Sequence, residues 1–294
     1  AGRTDDNSGF GPLISEGTNG IKWVTEPITA RTWNKDLFES RGRVMGIEAT
    51  FCGLTEIWYG GGNIHRTPVG GRNWQYYSED GNFGYIIGTY EAKGMQAQGV
   101  IYCPKHFVLN DQETFREGIS TFANEQSIRE LYLKPFETVI KADGDAQAVM
   151  GSFNYIGNTY SSAHTGLNQT VLRGEWGFRG FVETDYFSGS NYSYQTADQA
   201  IRGGTDAMLA TTETTNHITD HSATSVKAMR AATHNILYTA VNSWRYADGE
   251  PANPMPGWKV TMIVVDVVLG VTLVGLETLA IKRFLSRRKA AVAK

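Results

Sequence analysis

The sequence predicts an α/β fold: a (β/α) TIM-like barrel, incomplete at its amino-terminal side, followed by one carboxy-terminal transmembrane helix. Three observations carry this expectation. Short apolar strand-like runs alternate with helix-like stretches, the pattern of parallel βα units. Several strand-like runs stop abruptly at charged residues, and the carboxyl ends of barrel strands are where barrel enzymes keep their chemistry. Near the end of the chain, residues 260–281 form a hydrophobic run long enough, at about 1.5 Å per residue, to cross a roughly 30 Å hydrocarbon core.

In chain order, residues 12–15 read as a first short strand, 34–52 as a helix and 55–59 as a second strand. A helix follows over 80–98, where the acidic Glu79 and Asp80 favour the helix dipole. Strands at 99–103, 147–153, 180–184 and 207–210 then alternate with helices at 117–141, 166–175, 196–202 and 219–243. This gives about six strand-helix units against the eight of a closed barrel, and the chain opens at Ala1 without methionine, so an amino-terminal truncation is expected. The expected domains are a barrel over 1–248, a linker over 249–259, a transmembrane helix over 260–281 and a basic cytoplasmic tail over 282–294.

A chain of 294 residues, 41% apolar and 12% aromatic, can bury one large core. The formal charge of -3 gives no reason to expect a nucleic-acid partner. Cys52 and Cys103 read as buried thiols with neither a disulfide framework nor metal-ligand spacing, and no cofactor is expected.

The run GEWGFRGFVETDYFSG carries a β-branched and aromatic strand that ends at Asp185 and enters a loop rich in Gly, Ser and Asn. An aspartate there fits two roles, a carboxylate at a catalytic strand end or the cap of a helix near Ala197. Upstream, CPKHFVLNDQETFREG places Lys105 and His106 at an equivalent strand end, and NIHRTPVGGRNWQYYSED gathers Arg66, Arg72, Glu79 and Asp80 among Gly and aromatic residues. Taken singly, each cation or acid also reads as a solvated loop or a helix start.

Taken in order, NIHRTPVGGRN, YYSED, PKHFVLNDQETFR, IRELYLKPFE, AVMGSFN and LRGEWGFRGFVETDY resemble the catalytic domain of glycoside hydrolase family three, the β-glucosidase family. The motifs span about 63–185, with weaker similarity over 12–248. The resemblance implies a barrel that hydrolyses terminal β-glycosyl residues by a retaining double displacement, acting on a β-linked oligosaccharide or glycoside. It makes Asp185 the nucleophile and places Arg72, Lys105 and His106 around the innermost sugar, with Glu79 as an acid orienting its neighbours. Glu16 stands where the family binds outer hydroxyls through an aspartate, and Tyr186, Trp23, Trp58 and Trp74 are candidate stacking platforms that equally suit a core. Gln75 and Phe153 replace a common Glu and Tyr, leaving the sugar open.

No acid/base residue is evident, and in many members it comes from an α/β-sandwich domain. A barrel followed directly by a membrane helix is similar to the members with reversed domain order, so that domain is expected upstream of Ala1. Six basic residues follow Ile281, namely Lys282, Arg283, Arg287, Arg288, Lys289 and Lys294, against Lys259 before the span. The positive-inside rule then makes the chain a single-pass protein of the cell membrane, its span in lipid, its barrel extracytoplasmic and its tail cytoplasmic. Asp266 and Glu277 lie inside the span, each costing up to about 2.5 to 3.5 kcal/mol near the bilayer centre, so a helix docked on the soluble domain stays open as an alternative. The alternative function is a catalytically silent, membrane-anchored carbohydrate-binding protein.

Overall fold

The computed structural model describes residues 23–141, 144–187, 192, 194–209, 217–247 and 257–292. The expected first strand and Glu16 lie outside these residues, as does most of the linker. The chain divides into two compact units, 1–249 and 250–294.

The first unit runs α1 (Glu26–Ala30), α2 (Lys35–Phe51), β1 (Glu56–Gly61), α3 (Gly81–Gln96), β2 (Ile101–Lys105), β3 (Ser120–Thr121), α4 (Glu125–Ser127) and α5 (Lys134–Lys141). It continues with β4 (Ala148–Met150), β5 (Tyr155–Ile156), β6 (Thr159–Tyr160), β7 (Phe181–Tyr186), α6 (Ala197–Gly203), β8 (Ala207–Leu209) and α7 (Ala223–Val241). β1 pairs parallel with β2, aligning Trp58 with Cys103. β7 pairs parallel with β4 on one side and β8 on the other. A parallel bridge between Phe107 and Gly151, just past the ends of β2 and β4, joins the two sets. The five strands therefore form a parallel arc in the order β1-β2-β4-β7-β8, with side chains alternating between its faces. Ile101, Cys103, Ala148 and Met150 pack on one face with Trp58, Phe181 and Leu209. The opposite face, with Ile57, Tyr102, Val149 and Val182, joins the larger core beneath the helices.

Several helices begin where side-chain caps dictate. Asn34 accepts from the Leu37 amide ahead of α2, Asp80 from the Asn82 amide ahead of α3, and Ser222 from the Ser225 amide ahead of α7. The helix expected over 117–141 is corrected. Ser120 and Thr121 are extended and pair with Tyr155 and Ile156, and helix starts only after Asn124 caps the Ser127 amide. A π-helical stretch, Ile128–Tyr132, then leads into α5, and the segment Gly166–Glu175 is π-helical as well. The strand expected over 147–153 shortens to Ala148–Met150, because Ser152 and Asn154 turn to bond the Val108 carbonyl.

α2 and α3 pack closely because Gly42 sits against the Glu91 carbonyl, where an added Cβ would come within 2.1 Å. This approach lets the buried Arg41 reach Glu91 at 2.6 Å, while also bonding Tyr59 and the Val24 carbonyl. Tyr77 donates to the other Glu91 oxygen at 2.5 Å. Trp23 stacks over Arg41 and bonds Glu48, so this candidate platform belongs to the packing around α2.

The second unit is α8 (Gly257–Val292), longer at both ends than the span expected from hydropathy. Its residues Thr261–Ser286 are long and apolar enough to cross a membrane.

Removing one partner of a buried pair leaves an uncompensated charge. Replacing Arg41 with Met should cost about 3–5 kcal/mol in denaturant unfolding, and adding Glu91→Gln should recover much of it. A loss below about 1 kcal/mol for Arg41→Met would show that the pair is not what joins α2 to α3.

Candidate active site

The site forms where β1, β2 and β7 end. Lys105 closes β2 with its side chain on the same face as Cys103, and His106 follows it, both buried. The Lys105–His106 and Phe107–Val108 peptide bonds are cis. Asn63 clamps the His106 backbone from both sides, donating to its carbonyl and accepting from its amide, each at 2.9 Å. Asp185 lies near the end of β7, two residues past Glu183, and its Oδ1 accepts from the Tyr186 amide at 2.7 Å.

Arg72 ties the segment after β1 to the end of β2. Its Nη1 donates to His106 Nε2 at 2.7 Å and its Nε pairs with Glu113 at 2.9 Å. Glu113 also binds Arg116 at 2.6 Å, and Arg116 lies over the Phe153 ring at 4.3 Å. Asp185 Oδ2 stands 3.4 Å from His106 Nε2. Because a guanidinium can only donate, Nε2 is the acceptor and the ring proton sits on Nδ1. Burial, then the charges of Arg72 and Lys105, hold the His106 imidazole well below its ordinary 6.5, so it is neutral near pH 7. Burial raises the Glu113 carboxyl, against the pull of Arg72.

These groups open on a cleft of about 430 Å³, within the roughly 300–1,000 Å³ of small-molecule sites. Arg72, Lys105, His106, Asp185 and Tyr186 line it together, as do Trp58 and Trp74. Gln75 and Phe153 line it too, so both departures from the family pattern fall on the cleft wall. Glu79 is placed elsewhere: it is exposed just ahead of α3, bonded weakly to Ser78, and the acid that contacts Arg72 is Glu113 instead. The sequence reading gave no role to Arg116, Met150, Tyr192 or Leu209, which also line the cleft. Arg116 closes the motif PKHFVLNDQETFR three residues after Glu113, and its place in that motif was the sequence signal for it.

One layer down, Glu56, Cys103 and Glu183 bring donor atoms within 4.8 Å of one another, a grouping of metal-ligand type that sequence spacing hid because it draws on three strands. Cys103 donates to Glu183 at 3.4 Å. Burial raises Glu56 to about 7 and lifts Glu183 and Cys103 well above their ordinary ranges, so this layer holds protons rather than full negative charge.

A parallel βα arc with a carboxylate, a guanidinium, an ammonium and aromatic rings at its strand ends is a barrel-type domain with a polar cleft at its mouth. The chain belongs to glycosyl hydrolase family 3, whose N terminal domain profile matches residues 4–240. It is 37% identical over 204 residues to a beta-glucosidase of Rhizobium radiobacter, covering 68% of this chain and 24% of that one. Beta-glucosidase A of Butyrivibrio fibrisolvens is 36% identical over 181 residues, covering 60% and 21%. Among solved structures, beta-glucosidase 3B of Thermotoga neapolitana in complex with glucose superposes with a TM-score of 0.70 at 32% identity, covering 82% of this chain and 35% of that one. The chain thus spans about a quarter of the length of these curated relatives.

A carboxyl raised from 4.5 to about 7 on folding contributes stability that is present below pH 4.5 and lost as pH rises through 7. Glu56→Gln removes that titration. The melting temperature of the variant should therefore gain on the parent as pH rises from 5 to 8, and parallel curves would sink the assignment.

Proposed function

We propose that this chain is the nucleophile-bearing barrel of a retaining β-glycosidase that acts on terminal β-glucosyl residues. The observation that carries this reading is Asp185 at the end of β7, with His106 Nε2 at 3.4 Å and Arg72 bonded to the same imidazole nitrogen. Asp185 attacks the anomeric carbon as the glycosidic bond breaks, and the oxocarbenium-like transition state is stabilised by the carboxylate beneath it. Water then displaces the sugar from the glycosyl-enzyme. Arg72 and Lys105 suit hydroxyl recognition, the first as a planar fork of donors and the second as a movable charge. Tyr186, Trp58 and Trp74 offer ring faces to sugar C–H groups. The beta-glucosidase relatives support glucose as the sugar.

Among the described residues, Glu113 and Glu183 are the carboxyls that interact with Asp185, and both are committed elsewhere. Glu113 is bridged by Arg72 and Arg116, and Glu183 belongs to the protonated layer below. We assign the acid/base role to a carboxyl outside the described residues, supplied by an upstream α/β-sandwich domain. In the same reading α8 anchors the barrel in the cell membrane as a single pass, with the basic end in the cytoplasm and the barrel outside.

Replacing Asp185 with Asn in the enzyme that carries both domains should lower turnover of an aryl β-glucoside by several orders of magnitude with the fold intact. Activity within tenfold of the parent, about 1.4 kcal/mol of barrier, would reject Asp185 as nucleophile.

The chain alone should be nearly inert toward cellobiose, whose leaving group needs a proton. With a dinitrophenyl β-glucoside it should release a stoichiometric burst and stall, and azide should relieve the stall by giving a β-glycosyl azide. Steady cellobiose turnover by the chain alone would show that an acid/base carboxyl lies within it.

A further inference from the structure

Two carboxyl groups stand inside the candidate membrane span. Asp266 and Glu277 are eleven residues apart within Thr261–Ser286. Eleven residues make close to three turns, so in the continuous helix both lie on one face, roughly 16 Å apart along the axis. Gly270 and Leu273 fall between them on that face, and Gly270 allows a neighbouring backbone to come close.

One turn to either side of each acid, the helix offers no group that can neutralise it. The residues three and four positions from Asp266 are Met262, Ile263, Leu269 and Gly270, and those around Glu277 are Leu273, Val274, Ala280 and Ile281. The hydroxyls of Thr261, Thr272 and Thr278 each donate to the carbonyl four residues earlier on their own helix. An ionised carboxyl in hydrocarbon costs several kcal/mol unless it is paired, so each acid calls for a partner from another helix. A parallel second copy would set Asp266 beside Asp266 and Glu277 beside Glu277, the wrong charge at both heights.

Resting on the membrane-anchor reading, we infer that the Asp266–Gly270–Glu277 face docks a second transmembrane helix that carries two basic side chains at matching depths. The charge of this face selects the partner, and its two-point spacing sets the register.

The test uses the full chain, labelled at its carboxyl terminus and reconstituted in phosphatidylcholine vesicles. The probes are acceptor-labelled leucine-rich transmembrane peptides. One carries two lysines eleven residues apart at the depths of Asp266 and Glu277. A second has them nine apart and hence on opposite faces, and a third has none. Energy transfer should appear with the first peptide only, and the double variant Asp266→Asn, Glu277→Gln should weaken association about tenfold. Equal transfer with all three peptides, or self-association of the chain that the double variant leaves unchanged, would overturn the inference. A chain that fails to float with the vesicles would overturn the anchor reading and this inference with it. A chain that floats but shows no transfer would overturn this inference alone.

Discussion

The Arg72 guanidinium is the constraint on which the site depends. One planar group contacts Glu113 through Nε and His106 through Nη1, and thereby ties the segment after β1 to two points of the segment after β2. Because it only donates, it dictates the imidazole tautomer, and because it is charged, it helps to keep that imidazole neutral. A neutral His106 can lie within 3.4 Å of Asp185 without withdrawing its proton-accepting or nucleophilic character. Replacing the guanidinium with an ammonium would lose the fork and with it the simultaneous hold on acid and imidazole.

The charge pattern along the barrel axis follows from the same logic. At the mouth, Arg72 and Arg116 flank Glu113, while Lys105 and Asp185 occupy the ends of β2 and β7, on either side of β4. One layer below, burial raises Glu56 to about 7 and lifts Glu183 and Cys103 well above their ordinary ranges, so that layer carries less than its full negative charge. A neutral lower layer keeps Asp185 from facing further negative charge across a low-dielectric interior. Ionising Glu183 would do the reverse, since burial and then the nearby acids Glu56 and Asp185 already raise its carboxyl.

The parts of this arrangement that were legible in the sequence are those set by local rules. Strand ends near Lys105 and Asp185 followed from apolar runs broken by charge, and the ordered motifs singled out charges that the fold brings to one cleft. The extended Ser120–Thr121 and the shortened β4 were not legible, because both are decided by hydrogen bonds to partners more than thirty residues away. Glu79 illustrates the same limit. Its acidity and position beside α3 suit a helix start as well as a site, and only the fold shows that Glu113 is the acid that reaches Arg72. The layer of Glu56, Cys103 and Glu183 draws one residue from each of three strands, so no spacing in the chain could announce it.

Gln75 gives the cleft its individual character. It is buried in the cleft wall, and its Oε1 has no hydrogen-bond partner among the described residues. The family resemblance leads one to expect a carboxylate there, which would compete with Asp185 for the surrounding cations. An amide contributes no charge, so Asp185 and Glu113 are left to balance Arg72, Lys105 and Arg116. An amide also presents both a donor and an acceptor, so a hydroxyl can bond it in either sense, whereas a carboxylate only accepts. Together with Phe153, which replaces a phenol by a ring without a hydroxyl, this trades fixed polarity on one wall for apolar contact. A carboxylate-tyrosine pair would instead bury a charge and a phenol in that wall, groups that burial penalises unless they are paired.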